Sequence, residues 1–233
     1  MPTPEVLHFS DAGELARQLA RDVAAGLAAA IARRGEARLV VSGGKSPIPF
    51  FEALRATEPD WAKVRITLAD ERWVPTDSPD SNERLVREHL LQGPAAASTF
   101  IGLKQSAPSA AKGIAAAWHA ALDTGMEADE LILGMGEDGH TASLFPNMPD
   151  IDDAMNPKRW CGLVPAKAPV PPTERISLNL SALLSARSIR LQIPGRPKRA
   201  LLERMLAAPN AVRWPVSAVL SLARSPVIVY TSD

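Results

Sequence analysis

The chain has 233 residues, 46% hydrophobic and 22% charged, an ordinary globular usage that excludes a disordered or fibrous protein. Lys+Arg and Asp+Glu each number 26, so the formal net charge is zero, without the basic excess needed to coat nucleic acid or lie on a membrane. The one cysteine, Cys161, can make neither an internal disulfide nor a multi-thiolate metal site.

The segment Met1-Pro2-Thr3-Pro4-Glu5 lacks the basic region and apolar core of a secretory signal. The longest apolar run, Val23 to Ala32, is half of what a bilayer span needs. A cytoplasmic protein with no membrane association is expected, folded as one domain over residues 1–233.

The first element is a helix. Asp11 with Glu14 makes a start like a capping box, Leu15, Leu19, Val23, Leu27 and Ile31 repeat every four residues, and Arg33-Arg34-Gly35 supplies the stop. A short β-branched run, Leu39-Val40-Val41, then ends at Ser42-Gly43-Gly44-Lys45-Ser46, and Pro47 opens the next helix where its missing N–H costs nothing. Val64–Leu68 reads as a strand, Asn82–Leu91 and Ala110–Leu122 as helices, and Glu130–Met135 as a buried strand running into Gly136-Glu137-Asp138-Gly139-His140. Later strands fall at Gly162–Val164, Ile176–Leu178, Ile189–Ile193 and Val227–Tyr230, with helices at Lys198–Ala207 and Val216–Ala223. Short apolar strands alternating with amphipathic helices predict an α/β fold with a mostly parallel sheet covered on both faces.

In such sheets a ligand sits beyond the carboxyl ends of the strands. Three polar segments lie at such ends: Ser42–Ser46, Asp70-Glu71-Arg72 and Gly136–His140. They are candidates to converge in space.

Several motifs fail. Gly43-Gly44-Lys45-Ser46 resembles the tail of a P-loop, but the glycine required five positions before Gly44 is Leu39. Gly134-x-Gly136-x-x-Gly139 satisfies the dinucleotide fingerprint, yet Glu137 and Asp138 would repel a pyrophosphate there. No G-x-S-x-G, H-E-x-x-H or C-x-x-C occurs, so neither an acyl-serine hydrolase nor a metal site is indicated. Of the four histidines, His89 and His119 lie in predicted helices, where surface or packing roles are the plain reading. His140 differs, following a strand and a glycine turn two residues after Asp138.

The Ser42–Ser46 turn leads into a helix N-terminus whose free N–H groups and dipole attract a phosphate; its glycines let the anion approach and Lys45 adds positive charge. The plain alternative is a tight turn with Ser46 as N-cap. Lys198 opens a helix, where a cation opposes the dipole unless a bound phosphate compensates it.

Three blocks, in order, resemble the 6-phosphogluconolactonase family: Val41-Ser42-Gly43-Gly44-Lys45-Ser46-Pro47, then Asp70-Glu71-Arg72-Trp73-Val74-Pro75 with Ser81-Asn82, then Gly134-Met135-Gly136-Glu137-Asp138-Gly139-His140-Thr141-Ala142-Ser143-Leu144-Phe145-Pro146. Arg175-Ile176-Ser177-Leu178, followed by Gly195-x-x-Lys198, resembles the family's C-terminal half. Lys45 departs from the pattern, standing where the family usually has a small hydroxylated residue.

The resemblance implies a Rossmann-like three-layer αβα fold shared with glucosamine-6-phosphate isomerases. It implies hydrolysis of 6-phospho-D-glucono-1,5-lactone to 6-phospho-D-gluconate, the second step of the oxidative pentose phosphate pathway, with no cofactor. The partner is then a small sugar-phosphate lactone, and the pathway suggests transient proximity to glucose-6-phosphate dehydrogenase.

On that implication His140 is the general base, taking a proton from water and returning it to the leaving ring oxygen, roles that suit histidine's ordinary pKa. Asp138 either orients the imidazole or holds the loop by Asx-type hydrogen bonding. Arg72 meets either the oxyanion or the phosphate. Asp70 and Glu71 either pair with that arginine or belong to strand-end structure. Ser42, Gly43, Gly44, Lys45 and Ser46, with Lys198 and Arg175, hold the 6-phosphate.

Two rivals stand beside this reading. A sister isomerase or deaminase continues after Asp-Gly-His as Ile-Ala-Phe-Asn-Glu-Pro, where this chain has Thr141-Ala142-Ser143-Leu144-Phe145-Pro146. A non-catalytic sugar-phosphate sensor would need neither His140 nor Arg72.

Overall fold

The first helix, α1 (Ala12–Arg34), forms where its caps place it. Asp11, in extended conformation, accepts the Glu14 N–H at 2.8 Å, and Gly35 closes the other end at a φ of 83°. Leu15, Leu19, Val23 and Leu27 are fully buried along its inner face. The computed structural model describes residues 4–122, 127–160, 162–211 and 213–233; Cys161 and Met1-Pro2-Thr3 lie outside the described residues.

Ten strands follow in chain order: β1 (Glu5–Phe9), β2 (Ala37–Val41), β3 (Val64–Leu68), β4 (Asp70–Arg72), β5 (Thr99–Phe100), β6 (Glu130–Gly134), β7 (Leu163–Lys167), β8 (Glu174–Leu178), β9 (Ile189–Ile193) and β10 (Val227–Ser232) among the described residues. The remaining helices are α2 (Ile48–Arg55), α3 (Asn82–His89), α4 (Ala110–Leu122), α5 (Ile151–Ala154), α6 (Leu180–Leu184), α7 (Arg196–Ala207) and α8 (Pro215–Leu222).

Seven strands make one sheet in the order β1-β10-β9-β6-β2-β3-β5, every neighbouring pair parallel. From β2 the chain steps outward to β3 and β5. It then returns to the other side of β2 at β6 and steps outward through β9 and β10. Right-handed crossovers therefore put α1 and α2, which pack together, on one face and α7 and α8 on the other. The reversal between β2 and β6 opens a crevice at their carboxyl ends. Ser42–Ser46 and the 134–140 loop flank it.

A second, antiparallel sheet has the order β4-β8-β7. Asp70-Glu71-Arg72, expected as the polar end of a strand, is thus a strand of its own. The strands expected at Gly162–Val164 and Ile176–Leu178 are β7 and β8 and belong to this sheet, not the parallel one. Helix boundaries also shift: α2 begins at Ile48 with Pro47 as its N-cap, and α7 begins at Arg196, so Lys198 is its third residue.

Charges inside a sheet covered on both faces must be paired. Arg190 on β9 donates Nε to Glu130 on β6 at 2.7 Å and Nη1 to the Tyr230 hydroxyl at 2.6 Å; that hydroxyl donates to Asp22 of α1 at 2.7 Å. Burial pushes both the Tyr230 hydroxyl and the Glu130 carboxyl up. Gly26 of α1 passes directly over this network, and a Cβ there would lie 1.7 Å from Glu130 Oε1. Gly26→Ala is therefore expected to cost about 1–3 kcal/mol despite alanine's better helix propensity. The midpoint of urea unfolding checks it, and an unchanged or raised midpoint would contradict the close approach.

Candidate active site

The crevice is a cavity of about 260 Å³. It brings together Ser42, Gly43, Gly44, Lys45, Ser46, Asp70, Arg72, His140, Arg175 and Lys198, residues the sequence had scattered over most of its length. Asp138 is not on its wall but touches His140. Asn82, which stands in the second family block without an assigned role, and Gln192, which stands in no motif, also line it.

The imidazole is held from several sides. His140 Nδ1 lies 2.5 Å from Asp138 Oδ1, and the same oxygen accepts the His140 backbone N–H at 3.1 Å. Asp138 therefore does both things open to it, orienting the ring and tying the loop. Burial alone would raise the Asp138 carboxyl, but the hydrogen bonds and charge of His140 outweigh it and hold the group below the usual carboxylate range. A carboxylate only accepts, so the hydrogen-bond network assigns the ring proton to Nδ1 and leaves the lone pair on Nε2. The ring packs against Phe145, centroids 4.3 Å apart.

Glycine makes that seat possible. A Cβ on Gly136 would lie 2.1 Å from His140 Nδ1 and 2.6 Å from Asp138 Oδ1. Gly139 adopts a φ of 81°, and a Cβ there would run into Trp214 and Met205. Two of the three glycines that mimic a dinucleotide fingerprint, Gly136 and Gly139, thus make room for the imidazole and for close loop packing.

The same cavity wall carries cations from four elements, Lys45, Arg72, Arg175 and Lys198. Gly44 turns the loop after β2 at a φ of 95°, and Gln192 Nε2 pins it by donating to Ser46 O at 3.2 Å. Helix α2 has no side-chain cap, so Ser46 is not an N-cap. Ser42 Oγ and Arg72 Nε are buried with no hydrogen-bond partner. Such atoms are costly unless a ligand pairs them. Arg72 also stands directly opposite Arg175 in the β4–β8 ladder, a like-charge pair that a bound anion would relieve. Lys45 reaches the cavity from an exposed position, and Lys198 from the first turn of α7.

Strand alternation separates the two acidic residues. Asp70 and Arg72 face the cavity, where the Asp70 carboxylate accepts from Ser143 Oγ at 2.5 Å. Glu71 faces away and accepts the backbone N–H groups of Arg72, Asn82 and Glu83 at 2.6, 2.8 and 2.7 Å. Burial pushes its carboxyl up to about 7 against the pull of those donors. Glu71 is therefore strand-end structure, fastening β4 to the start of α3.

The family model described as Glucosamine-6-phosphate isomerases/6-phosphogluconolactonase matches residues 10–228. The chain belongs to this family. Its 6-phosphogluconolactonases include a Pseudomonas aeruginosa protein 45% identical over 222 residues, covering 95% of this chain and 92% of that one. A Rhizobium meliloti 6-phosphogluconolactonase is 40% identical, covering 95% and 96%. The crystal structure of a 6-phosphogluconolactonase from Shewanella baltica superposes with a TM-score of 0.94 at 39% identity, covering 99% of this chain and 98% of that one. The fold is thus the α/β arrangement of 6-phosphogluconolactonases, with the seven-stranded parallel sheet at its centre. Among the described residues no helix is long and apolar enough to cross a membrane.

Proposed function

We propose that the protein hydrolyses 6-phospho-D-glucono-1,5-lactone to 6-phospho-D-gluconate, with His140 as general base and residues 1–233 acting as one domain. The observation that carries this reading is an imidazole tied through Nδ1 to a carboxylate at 2.5 Å, on the wall of a cavity also lined by Lys45, Arg72, Arg175 and Lys198. The name shared by the relatives, 6-phosphogluconolactonase, supports the same substrate.

A six-membered lactone is an activated ester, so water needs little more than a base and a fixed position. Nε2 takes a proton as the water oxygen bonds to the carbonyl carbon. The tetrahedral adduct then collapses, the bond from that carbon to the ring oxygen breaks, and the proton passes from Nε2 to the departing oxygen. The Asp138 carboxylate stabilises the imidazolium between the two transfers. Ser42–Ser46, Arg175 and Lys198 hold the 6-phosphate, so binding energy far from the carbonyl restricts orientation at it. The protein works in the cytoplasm in this reading, close to the glucose-6-phosphate dehydrogenase whose product it consumes.

Real-time opening of freshly made lactone, corrected for the spontaneous reaction, tests the activity. Saturable acceleration supports it; a rate equal to background with intact product binding favours the sensor. A milder test reaches the imidazole's seat. Gly136→Ala is expected to push the ring from its place and lower kcat by about 10²-fold, the scale of a 1 Å misplacement. Affinity for 6-phosphogluconate should stay within about twofold, because the phosphate loop lies on a different strand; unchanged kcat would show that the ring's position does not matter.

A further inference from the structure

Gly43 is bare for a reason internal to the protein. A Cβ there would lie 1.8 Å from Asn82 Oδ1 and 2.1 Å from its Cγ, so the Asn82 amide rests on the backbone of the loop after β2. Asn82 is fully buried. Its Nδ2 donates to Asp70 O at 2.8 Å, and its Oδ1 accepts from Arg72 Nη1 at 2.7 Å. One side chain thus joins the β4 backbone, the Arg72 guanidinium and the Ser42–Ser46 loop. Arg72 Nη1 also donates to Asp80 O at 2.7 Å, which fixes the guanidinium along that edge.

Two buried polar atoms without hydrogen-bond partners, Ser42 Oγ and Arg72 Nε, lie on the two pieces that Asn82 joins. Both residues line the cavity, and the like-charge pair of Arg72 and Arg175 adds a second reason for an anion between them. His140 belongs to a different loop, after β6, and shares no hydrogen bond with Asn82.

We propose that Asn82 is a positioning residue that sets Arg72 against the Ser42–Ser46 loop, so that guanidinium and loop close on one anionic group, the substrate's phosphate. The proposal rests on the lactonase reading above and assigns Arg72 to the substrate's phosphate and not to its carbonyl.

The test measures kcat, KM and the calorimetric affinity for 6-phosphogluconate in wild type, Asn82→Ala, Gly43→Ala and the double variant. Asn82→Ala is expected to raise KM and weaken product affinity by about 10- to 100-fold, the worth of a well-placed hydrogen bond to a charged group, with kcat within about threefold. A folding defect would lower the active fraction and hence apparent kcat, leaving KM where it was. Gly43→Ala pushes the amide away and should give the same loss. In the Asn82→Ala background the added methyl meets space, so the double variant should be no worse than Asn82→Ala alone.

Losses carried by kcat, or losses that add in the double variant, overturn the proposal. Should Asn82→Ala fail to fold, Gly43→Ala and Asn82→Asp, which keeps the acceptor for Arg72 and loses the donor to Asp70 O, carry the same KM-against-kcat comparison. A wild type without saturable acceleration refutes the lactonase reading and the proposal with it. An active wild type whose variants keep their KM and product affinity removes the proposal alone.

Discussion

Replacing His140 by alanine is expected to lower kcat for lactone opening by about 10²–10⁴-fold, the usual contribution of a positioned general base, while affinity for 6-phosphogluconate stays within about twofold. The expectation follows from where the residue sits. Its ring is fixed by Asp138 at 2.5 Å and by Phe145 behind it, so the unprotonated nitrogen has a defined place rather than a range of them. The cationic residues that would hold the phosphate come from β4, β8, α7 and the loop after β2, none of which touches the imidazole through a hydrogen bond. Added imidazole should recover part of the lost rate, because the alanine leaves a space of that shape beside the carboxylate. Spontaneous opening must be subtracted at each pH, since the reaction proceeds without enzyme. A His140→Ala rate within tenfold of wild type would mean that water is activated elsewhere, and Asp70 is the carboxylate that lines the cavity among the described residues.

How far the site was legible depends on how local its causes are. Helix α1 and the strands β2 and β6 follow from caps, a four-residue apolar repeat and short β-branched runs, all of them properties of neighbouring residues. The loops after β2 and β6 could be found because glycine and charge stand at strand ends, and the parallel sheet then brings them together. The second sheet was hidden. Asp70-Glu71-Arg72 carries no apolar alternation, and its partner Arg175-Ile176-Ser177 lies about a hundred residues on, so only the tertiary fold makes it a strand.

Asn82 stands with Ser81 in the second family block, but its role was hidden for a related reason. At the start of a helix an asparagine reads as part of a cap, and Ser81 does accept the Arg84 N–H in that role. What makes Asn82 a joint is burial against Gly43 and Arg72, and no spacing encodes that contact. Gln192 was masked by its strand, where it alternates with Ile189, Leu191 and Ile193 beside a second polar residue, Arg190. In the same way the glycines at 43 and 136, which look like invitations to a phosphate, are bare to admit side chains of the protein itself.

The charge on Asp138 can be separated from its shape. Asp138→Asn is nearly isosteric, and the His140 backbone N–H at 3.1 Å still calls for an oxygen in that position, so the carboxamide can keep accepting from both the backbone and Nδ1. Only the negative charge is lost, and with it the stabilisation of the imidazolium formed as water gives up its proton. A fall in kcat of about 10²-fold is expected, the scale of a single preorganised electrostatic contact. Asp138→Ala removes the oxygen as well and frees the ring, so its loss should be nearer 10³-fold. The carboxyl is held below its ordinary value of 3.8, so it is ionised throughout the neutral range. Its contribution to stability is present above the unfolded value and lost only as pH falls through the lower folded one. Comparing wild type and Asp138→Asn between pH 6 and 8 therefore reads the charge with no change in the carboxyl's own state. An Asp138→Asn rate equal to wild type, with Asp138→Ala impaired, would remove the charge from the mechanism and leave the residue its two hydrogen bonds, to the ring and to the loop. Equal, large losses in both variants would show that the carboxylate charge carries its whole effect on the imidazole.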